Sequence, residues 1–416
     1  MIPHEIAETI VDPAAYADGR IDQAFRRLRQ EAPLARAEVE GFEPFWVVTR
    51  HADVMEGGRR GDDFHNGDRP ITLTTRQAQR QQAEDPPAVH TLVQMDAPQH
   101  PAFRRLTQAW FMPQNLRNLE DRIRQIARGF VDRMASFGGE CDFAQDIALH
   151  YPLRIIMEIL GVPEPDEPLM LRLTQEVFGA EDEELSRSGA ADDKDVSAGM
   201  RAAVMDFVRY FNDLAEDRRR SPRDDLASVI ANGQVEGRPL GFAEVMGYYV
   251  ITATAGHDTT SNTTATALWA LAERPGLVRQ LNADPSLIPA HVEESIRWAT
   301  AVKHFMRSAS RDTELGGQKI AKGDWLMLSY ASANRDEAVF ERPFDYDIRR
   351  SPNRHLAFGH GPHVCLGQHL GRMEMRILWE ELLPRLESLE LAAAPISSHA
   401  TFISGPKHVP IRYRMR

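Results

Sequence analysis

Cysteine is almost missing: the 416 residues hold only Cys141 and Cys365. Two cysteines so far apart exclude a disulfide framework and point to a reducing compartment, the cytoplasm. Long apolar runs are missing too. No stretch approaches the roughly 18–20 residues a membrane-crossing helix needs. The N-terminal MIPHEIAETIVDPAAYADGRIDQAF is polar and acidic, unlike a signal peptide or an anchor. Net positive charge is lacking: Lys and Arg total 49 against 61 Asp and Glu, for -12 overall. That balance argues against nucleic acid as the main partner but leaves room for a local basic patch facing an acidic protein. Neither a repeat, a low-complexity tract nor a Gly/Ser or Pro linker divides the chain. A soluble protein with no membrane or nucleic-acid partner is expected.

What is present is a globular composition. Hydrophobic residues make up 42%, enough for a large core. Length alone suggests two or three domains, yet the absence of linkers favours one domain spanning 1–416. Apolar spacing predicts helices over Ile21–Glu31, Leu119–Phe137, Phe242–Ala272, Leu287–Trp298 and Gly367–Leu386. Short strands are predicted at Phe45–Thr49, Trp325–Tyr330 and Val409–Tyr413. The fold class is therefore mainly α with a small β part. Asp62–Val89 and the acidic Glu181–Val196 read as loops, either solvated or lids over a pocket.

The informative stretch is Phe358-Gly359-His360-Gly361-Pro362-His363-Val364-Cys365-Leu366-Gly367, ahead of a helix. A thiolate binds metal, and a helix starting beside it favours the ionised form. Glycines at 359, 361 and 367 allow a tight loop that aims N–H groups at the sulfur. With no CxxC and no HxxxH, a closed zinc site is poorly supported. An isolated cysteine is more often a buried structural residue. This pattern, however, resembles the haem-binding loop of the cytochromes P-450, Phe-x-x-Gly-x-x-x-Cys-x-Gly. The resemblance implies that Cys365 is the axial iron ligand, that Phe358, Gly359, His363 and Gly367 border haem b, and that the chain is one triangular, mainly helical domain.

Three further patterns fit that resemblance. Thr254-Ala255-Gly256-His257-Asp258-Thr259-Thr260 places a glycine, an acid and hydroxyls inside an apolar helix, the kind of rule-breaking found at functional sites. Read alone it is a kinked core helix. It resembles the family's oxygen-handling Ala-Gly-x-Asp/Glu-Thr, which implies Asp258 and Thr259 as the catalytic proton pair, with Ala255 and Gly256 leaving room for O2. Glu294 and Arg297 stand at i, i+3; the resemblance joins them to Arg350 in a structural network behind the cysteine loop. His100 and Arg104 on one helix face, Arg307 and His355 would then contact the haem propionates.

The resemblance covers essentially the whole chain. DEPLMLRLTQEVFG (Asp166–Gly179), VKHFMR (Val302–Arg307), ANRDE (Ala333–Glu337) and NRHLAFGHG (Asn353–Gly361) are most similar to the bacterial terpene-hydroxylating branch typified by the α-terpineol hydroxylase. It implies a monooxygenase drawing electrons from NAD(P)H through a reductase and a 2Fe–2S ferredoxin. Arg105, Arg354 and Arg372 are candidate docking cations. A pocket walled by Val250, Ala255, Ala301, Val302, Phe305, Phe402 and Ile403 suits a small apolar substrate, a terpenoid or an aromatic hydrocarbon. A peroxygenase of the same fold, or a non-enzymatic haem sensor or carrier, remains the alternative.

Overall fold

The structure, a computed structural model, describes residues 1–84, 89–187 and 193–416, the side chains of 193–197 excepted. Helices form where apolar residues recur at helical spacing: Arg20–Glu31, Glu120–Ser136, Ile288–Ala299 and Gln368–Leu382. Glu120–Ser136 buries Ile123, Ile126, Val131 and Met134 along one stripe. The helix after Cys365 stops at Leu382, short of the expected Leu386, because Pro384 tightens the next turn to 3-10. Gln99–Gln108, His150–Leu160, Glu167–Phe178 and Asp193–Arg220 complete the helices used below.

The single helix expected over Phe242–Ala272 is two, Phe242–Ala255 and Asp258–Ala272. Around the break the hydroxyls of Thr252, Thr254 and Thr259 back-bond to the carbonyls of Tyr248, Val250 and Ala255. Such bonds compete with the helical ladder. The His257 ring is meanwhile drawn sideways, with Nε2 donating to the Leu149 carbonyl at 2.7 Å.

The main sheet runs in the order Leu34–Ala37, Phe45–Val48, Trp325–Ser329, His304–Ala309, Phe64–His65. Trp325–Ser329 is buried throughout, parallel to Phe45–Val48 and antiparallel to His304–Ala309. It ends one residue before the expected Tyr330 because Ser329 caps the next turn through Ser332 N–H at 3.3 Å. The C-terminal strand Pro410–Met415 lies between Leu386–Leu391 and Glu140–Asp142.

Two segments expected to be loops carry regular structure. Asp62–Val89 contributes Phe64–His65 to the sheet edge and the helix Arg76–Glu84, with 85–88 outside the described residues. Within Glu181–Val196, 181–187 form turns and Asp193 opens a helix, with 188–192 outside the described residues. One apolar core joins the helices, Tyr151, Phe211 and Tyr249 among its members; another, holding Phe25, Phe45 and Trp325, lies against the sheet. No described helix is long and apolar enough to cross a membrane.

Candidate functional site

Two left-handed glycines shape the cysteine loop, Gly359 at φ +71° and Gly361 at φ +79°. A Cβ at Gly361 would sit 2.7 Å from Arg59 Cα, so the loop packs directly on backbone. Gly367 has an ordinary φ of -82°, and the conformational demand expected there is absent. Cys365 N–H donates to the Phe358 carbonyl at 2.8 Å, and Val364 N–H to Gly361 at 3.1 Å. Burial pushes the Cys365 thiol up; N–H groups of Gly367 and Gln368 at the helix start, with Arg104 and Arg372, pull it back. A sulfur with two amide donors and nearby cations is a metal-thiolate environment.

On the distal helices, Ala255 is exposed although its neighbours Ala253 and Thr254 are buried. Thr259, one turn later, shares that face, and its hydroxyl donates to the Ala255 carbonyl at 3.2 Å. Val250 does not belong there. Five positions from Ala255, it sits roughly 140° around the helix and packs in the helical core. Gly256 also departs from expectation: a Cβ there would meet Ile156 Cγ1 at 2.7 Å, so its size serves helix packing and not an oxygen pocket. Asp258 is buried beside His257, with Oδ2 lying 3.4 Å from His257 Nδ1.

Four of the expected cofactor contacts gather beside the cysteine. Arg104 donates to the Val364 carbonyl at 2.7 Å. The His100 and His363 rings stack at 3.9 Å, and burial with Arg104 pushes His100 down to about 4. Burial likewise pushes His363 down, with His100, Arg307 and Arg104 adding to it. Arg307 is 5% exposed and hydrogen-bonds Tyr330. His355 is drawn elsewhere: its Nε2 lies 3.1 Å from Glu293, while buried Nδ1 has no partner among the described residues.

Behind the loop, Glu294 accepts from Arg297 Nε and Nη2 at 2.8 and 2.7 Å, from Arg350 Nε at 3.2 Å, and from the Asp347 amide at 2.8 Å. Arg297 also donates to the carbonyls of Asn334 and Pro343. Asn334 Oδ1 accepts from Leu356 N–H at 2.7 Å, which ties the network to the start of the loop. Tyr346 uses its hydroxyl on Ser295 at 2.7 Å and His291 at 2.8 Å.

The pocket walls converge in part. Val302 bridges Ile403, and Ser404 N–H donates to Ala301 at 3.1 Å. Phe402 lies 5.2 Å from Phe305 and 6.3 Å from Phe178, ring to ring. Of the docking cations, Arg105 and Arg354 are exposed. Arg372 is not free for docking: it holds Glu293 at 2.6 Å and lies over the Phe358 ring at 4.4 Å.

Several participants escaped the sequence reading. Asn66 hydrogen-bonds His363, and Tyr330 bonds Arg307, each from a distant segment. Burial pushes Glu293 up, but His355 and Arg372 outweigh it and hold its carboxyl far below the usual range. Glu374, nine residues after Cys365, is buried, and burial pushes its carboxyl well up against a hydrogen bond with Thr260. None carries a local signature; only Glu293 sat beside a recognised motif.

The donor set suits haem b. Among the described residues, neither Arg104 nor the buried Arg307 has a carboxylate partner, and two such cations match two propionates. Ionised to the thiolate, Cys365 would offer one soft anionic ligand, and the Ala255–Thr259 face is open.

Comparison with known proteins agrees. The cytochrome P450 family model matches residues 16–398. The chain is 45% identical to cytochrome P450-terp of a Pseudomonas species, covering 99% of this chain and 98% of that one. Linalool 8-monooxygenase of Pseudomonas putida is 30% identical, with 96% and 97% covered. The crystal structure of CYP108D1 from Novosphingobium aromaticivorans superposes with a TM-score of 0.92 at 46% identity, covering both chains fully.

Proposed function

This chain belongs to the cytochrome P450 family, and from that premise we propose that it hydroxylates a small apolar terpenoid or aromatic hydrocarbon. As a P450 monooxygenase it uses haem b and O2, with electrons from NAD(P)H delivered by partner redox proteins. The proposed partners are a 2Fe–2S ferredoxin, met at exposed Arg105 and Arg354, and its reductase. We read residues 1–416 as one domain working in the cytoplasm.

The observation that carries the substrate class is the aromatic wall of Phe178, Phe305 and Phe402, closed by the Val302–Ile403 bridge. Such walls hold a ligand by shape and buried area. The names of two relatives, cytochrome P450-terp and linalool 8-monooxygenase, lend support.

Cys365 is the iron ligand in this reading, with its charge moderated by the amides of Gly367 and Gln368. Arg104 and Arg307 hold the propionates, helped by the neutral rings of His100 and His363. Glu294, Arg297 and Arg350 keep the loop in place. His355 is better read as a positioning residue, fixed through Glu293 and Arg372. When bound, the haem supplies the binding and reductive cleavage of O2 and the insertion of one oxygen atom into a C–H bond. Asp258 and Thr259 pass the protons this consumes, the hydroxyl standing on the open face and the carboxylate behind it. The apolar walls exclude water and hold the substrate.

The test is a spectral screen followed by turnover. Terpenes and aromatic hydrocarbons should convert the haem from low to high spin, and product should form with NADH and a ferredoxin pair. Phe402→Ala should weaken that binding about tenfold or more, in line with a lost aromatic contact. A spin shift confined to large or strongly polar ligands would refute the substrate class.

A further inference from the structure

His304 opens the strand His304–Ala309 and is only 1% exposed, so its ring lies behind the aromatic wall and does not face a ligand. Its neighbour Phe305 points to the other side of the strand and belongs to that wall. Both ring nitrogens of His304 are committed to main chain from distant segments. Leu73 N–H donates to Nε2 at 3.1 Å, and Nδ1 lies 3.0 Å from the Thr401 carbonyl. An amide N–H only donates and a carbonyl only accepts, so Nε2 carries the lone pair and Nδ1 the hydrogen. Burial pushes the ring down to about 4, outweighing the opposite pull of the Thr401 carbonyl, and the ring stays neutral.

The residue that His304 grips is the one that aims Phe402. Thr401 is buried, and its amide donates to Glu181 Oε2 at 2.7 Å and its hydroxyl to the same oxygen at 3.2 Å. Carbonyl, amide and hydroxyl of Thr401 are thus all held by side chains, 97 and 220 positions away. On the far side of Phe402, Lys303 N–H donates to the Phe402 carbonyl at 2.8 Å. The half-buried Phe402 ring, fixed in backbone on both flanks, lies 5.7 Å from His304, 5.2 Å from Phe305 and 6.3 Å from Phe178. Backbone angles select the side-chain rotamer, so whatever fixes these two peptides also aims the ring.

We propose that His304 is a positioning residue for substrate specificity: by holding the Thr401 carbonyl it sets the Phe402 ring in the wall and so decides what shape of molecule the site takes. A buried carbonyl that loses its donor turns toward another, and the ring turns with it. The inference rests on the reading of Phe402 as part of the substrate wall.

Asparagine places an amide nitrogen where Nδ1 stands, and glutamine places an amide oxygen near Nε2. His304→Asn therefore keeps the donor to Thr401 and gives up Leu73; His304→Gln does the reverse. The probes are 4-phenylimidazole and imidazole, titrated spectrally into the haem-loaded protein. Both bind the iron through nitrogen and only the first carries a ring to meet the wall, so the ratio of their dissociation constants reads the wall alone. The titration sees only haem-loaded molecules, and a partly unfolded preparation does not mimic the effect. His304→Gln should lower the preference for 4-phenylimidazole about threefold or more, the size of a weakened aromatic contact. His304→Asn should stay within about twofold of wild type. A histidine that merely holds the fold would lower the melting temperature of both variants and leave the preference alone. Phe402→Ala should lower the preference by itself, and adding His304→Gln to it should change little more, since both act on one ring. If Phe402→Ala lowers the preference while His304→Gln matches wild type, or if His304→Asn falls as far as His304→Gln, the positioning role is refuted and the wall stands. If Phe402→Ala leaves the preference unchanged, the wall reading fails and the inference with it.

Discussion

Replacing Glu294 by glutamine removes one charge and almost no volume from a fully enclosed ion cluster. Its two oxygens accept from Arg297, Arg350, Asn353 and the Asp347 amide. An amide nitrogen in place of one oxygen points a donor at donors. Arg297, with 0% of its surface exposed, and Arg350, with a side chain 7% exposed, are left without a carboxylate. Removing one partner of a buried pair costs about 3–5 kcal/mol. With a urea slope on the order of 4 kcal/mol/M for a chain of this length, the unfolding midpoint should fall by roughly 1 M. Because Arg297 and Leu356 meet at Asn334, haem should be released at lower urea than the helices melt. Circular dichroism and the Soret band, followed together, measure both. A midpoint within about 0.2 M of wild type, less than 1 kcal/mol on the same slope, would refute the argument that this cluster holds the loop.

Thr259→Ala should bind substrate nearly as the parent does yet divert electrons to peroxide, read as a falling ratio of product to NADH consumed; tight coupling would remove Thr259 from the proton pair. Gly361→Ala forces a left-handed φ of +79° on a residue with a Cβ and drives that atom toward the backbone at Gly58 and Arg59. The φ alone costs about 1–2 kcal/mol, so the purified protein should retain less haem, and full occupancy would contradict the packing. His408 is pushed down by burial, but its hydrogen bonds to Asp142 at 2.6 Å and Glu184 at 2.9 Å outweigh that and raise it. Its ion pairs therefore stabilise fully below the ordinary histidine value of about 6.5 and fade as pH rises through the higher folded value. The melting-temperature gap between wild type and His408→Gln should be widest in mild acid and close in alkali; a gap that widens with pH would refute this.

Much of this site was legible because its marks are local. The loop from Phe358 to Gly367 brings its own backbone donors to the sulfur, so ten consecutive residues describe it. Glu294 and Arg297 share a helix face by spacing alone, and Ala255 and Thr259 do the same. A kink near Gly256–His257 was legible in its glycine and threonines, but the full break into two helices was not. It depends on where the His257 ring goes, and its partners Leu149 and Thr174 lie 108 and 83 residues away. Val250 was misplaced for a simpler reason: five residues along a helix do not share a face.

By itself the sequence determined the class of chain, the candidate ligand cysteine and the positions of the main helices and strands, since periodicity and short motifs act between near neighbours. Only the tertiary structure decided which charges are spoken for. It paired His355 and Arg372 with Glu293, set Asn66 on His363 and Tyr330 on Arg307, and left a small cavity beside Asp258. Those contacts join segments tens to hundreds of residues apart, and no local pattern encodes them because their cost and gain arise only when the segments are buried against one another.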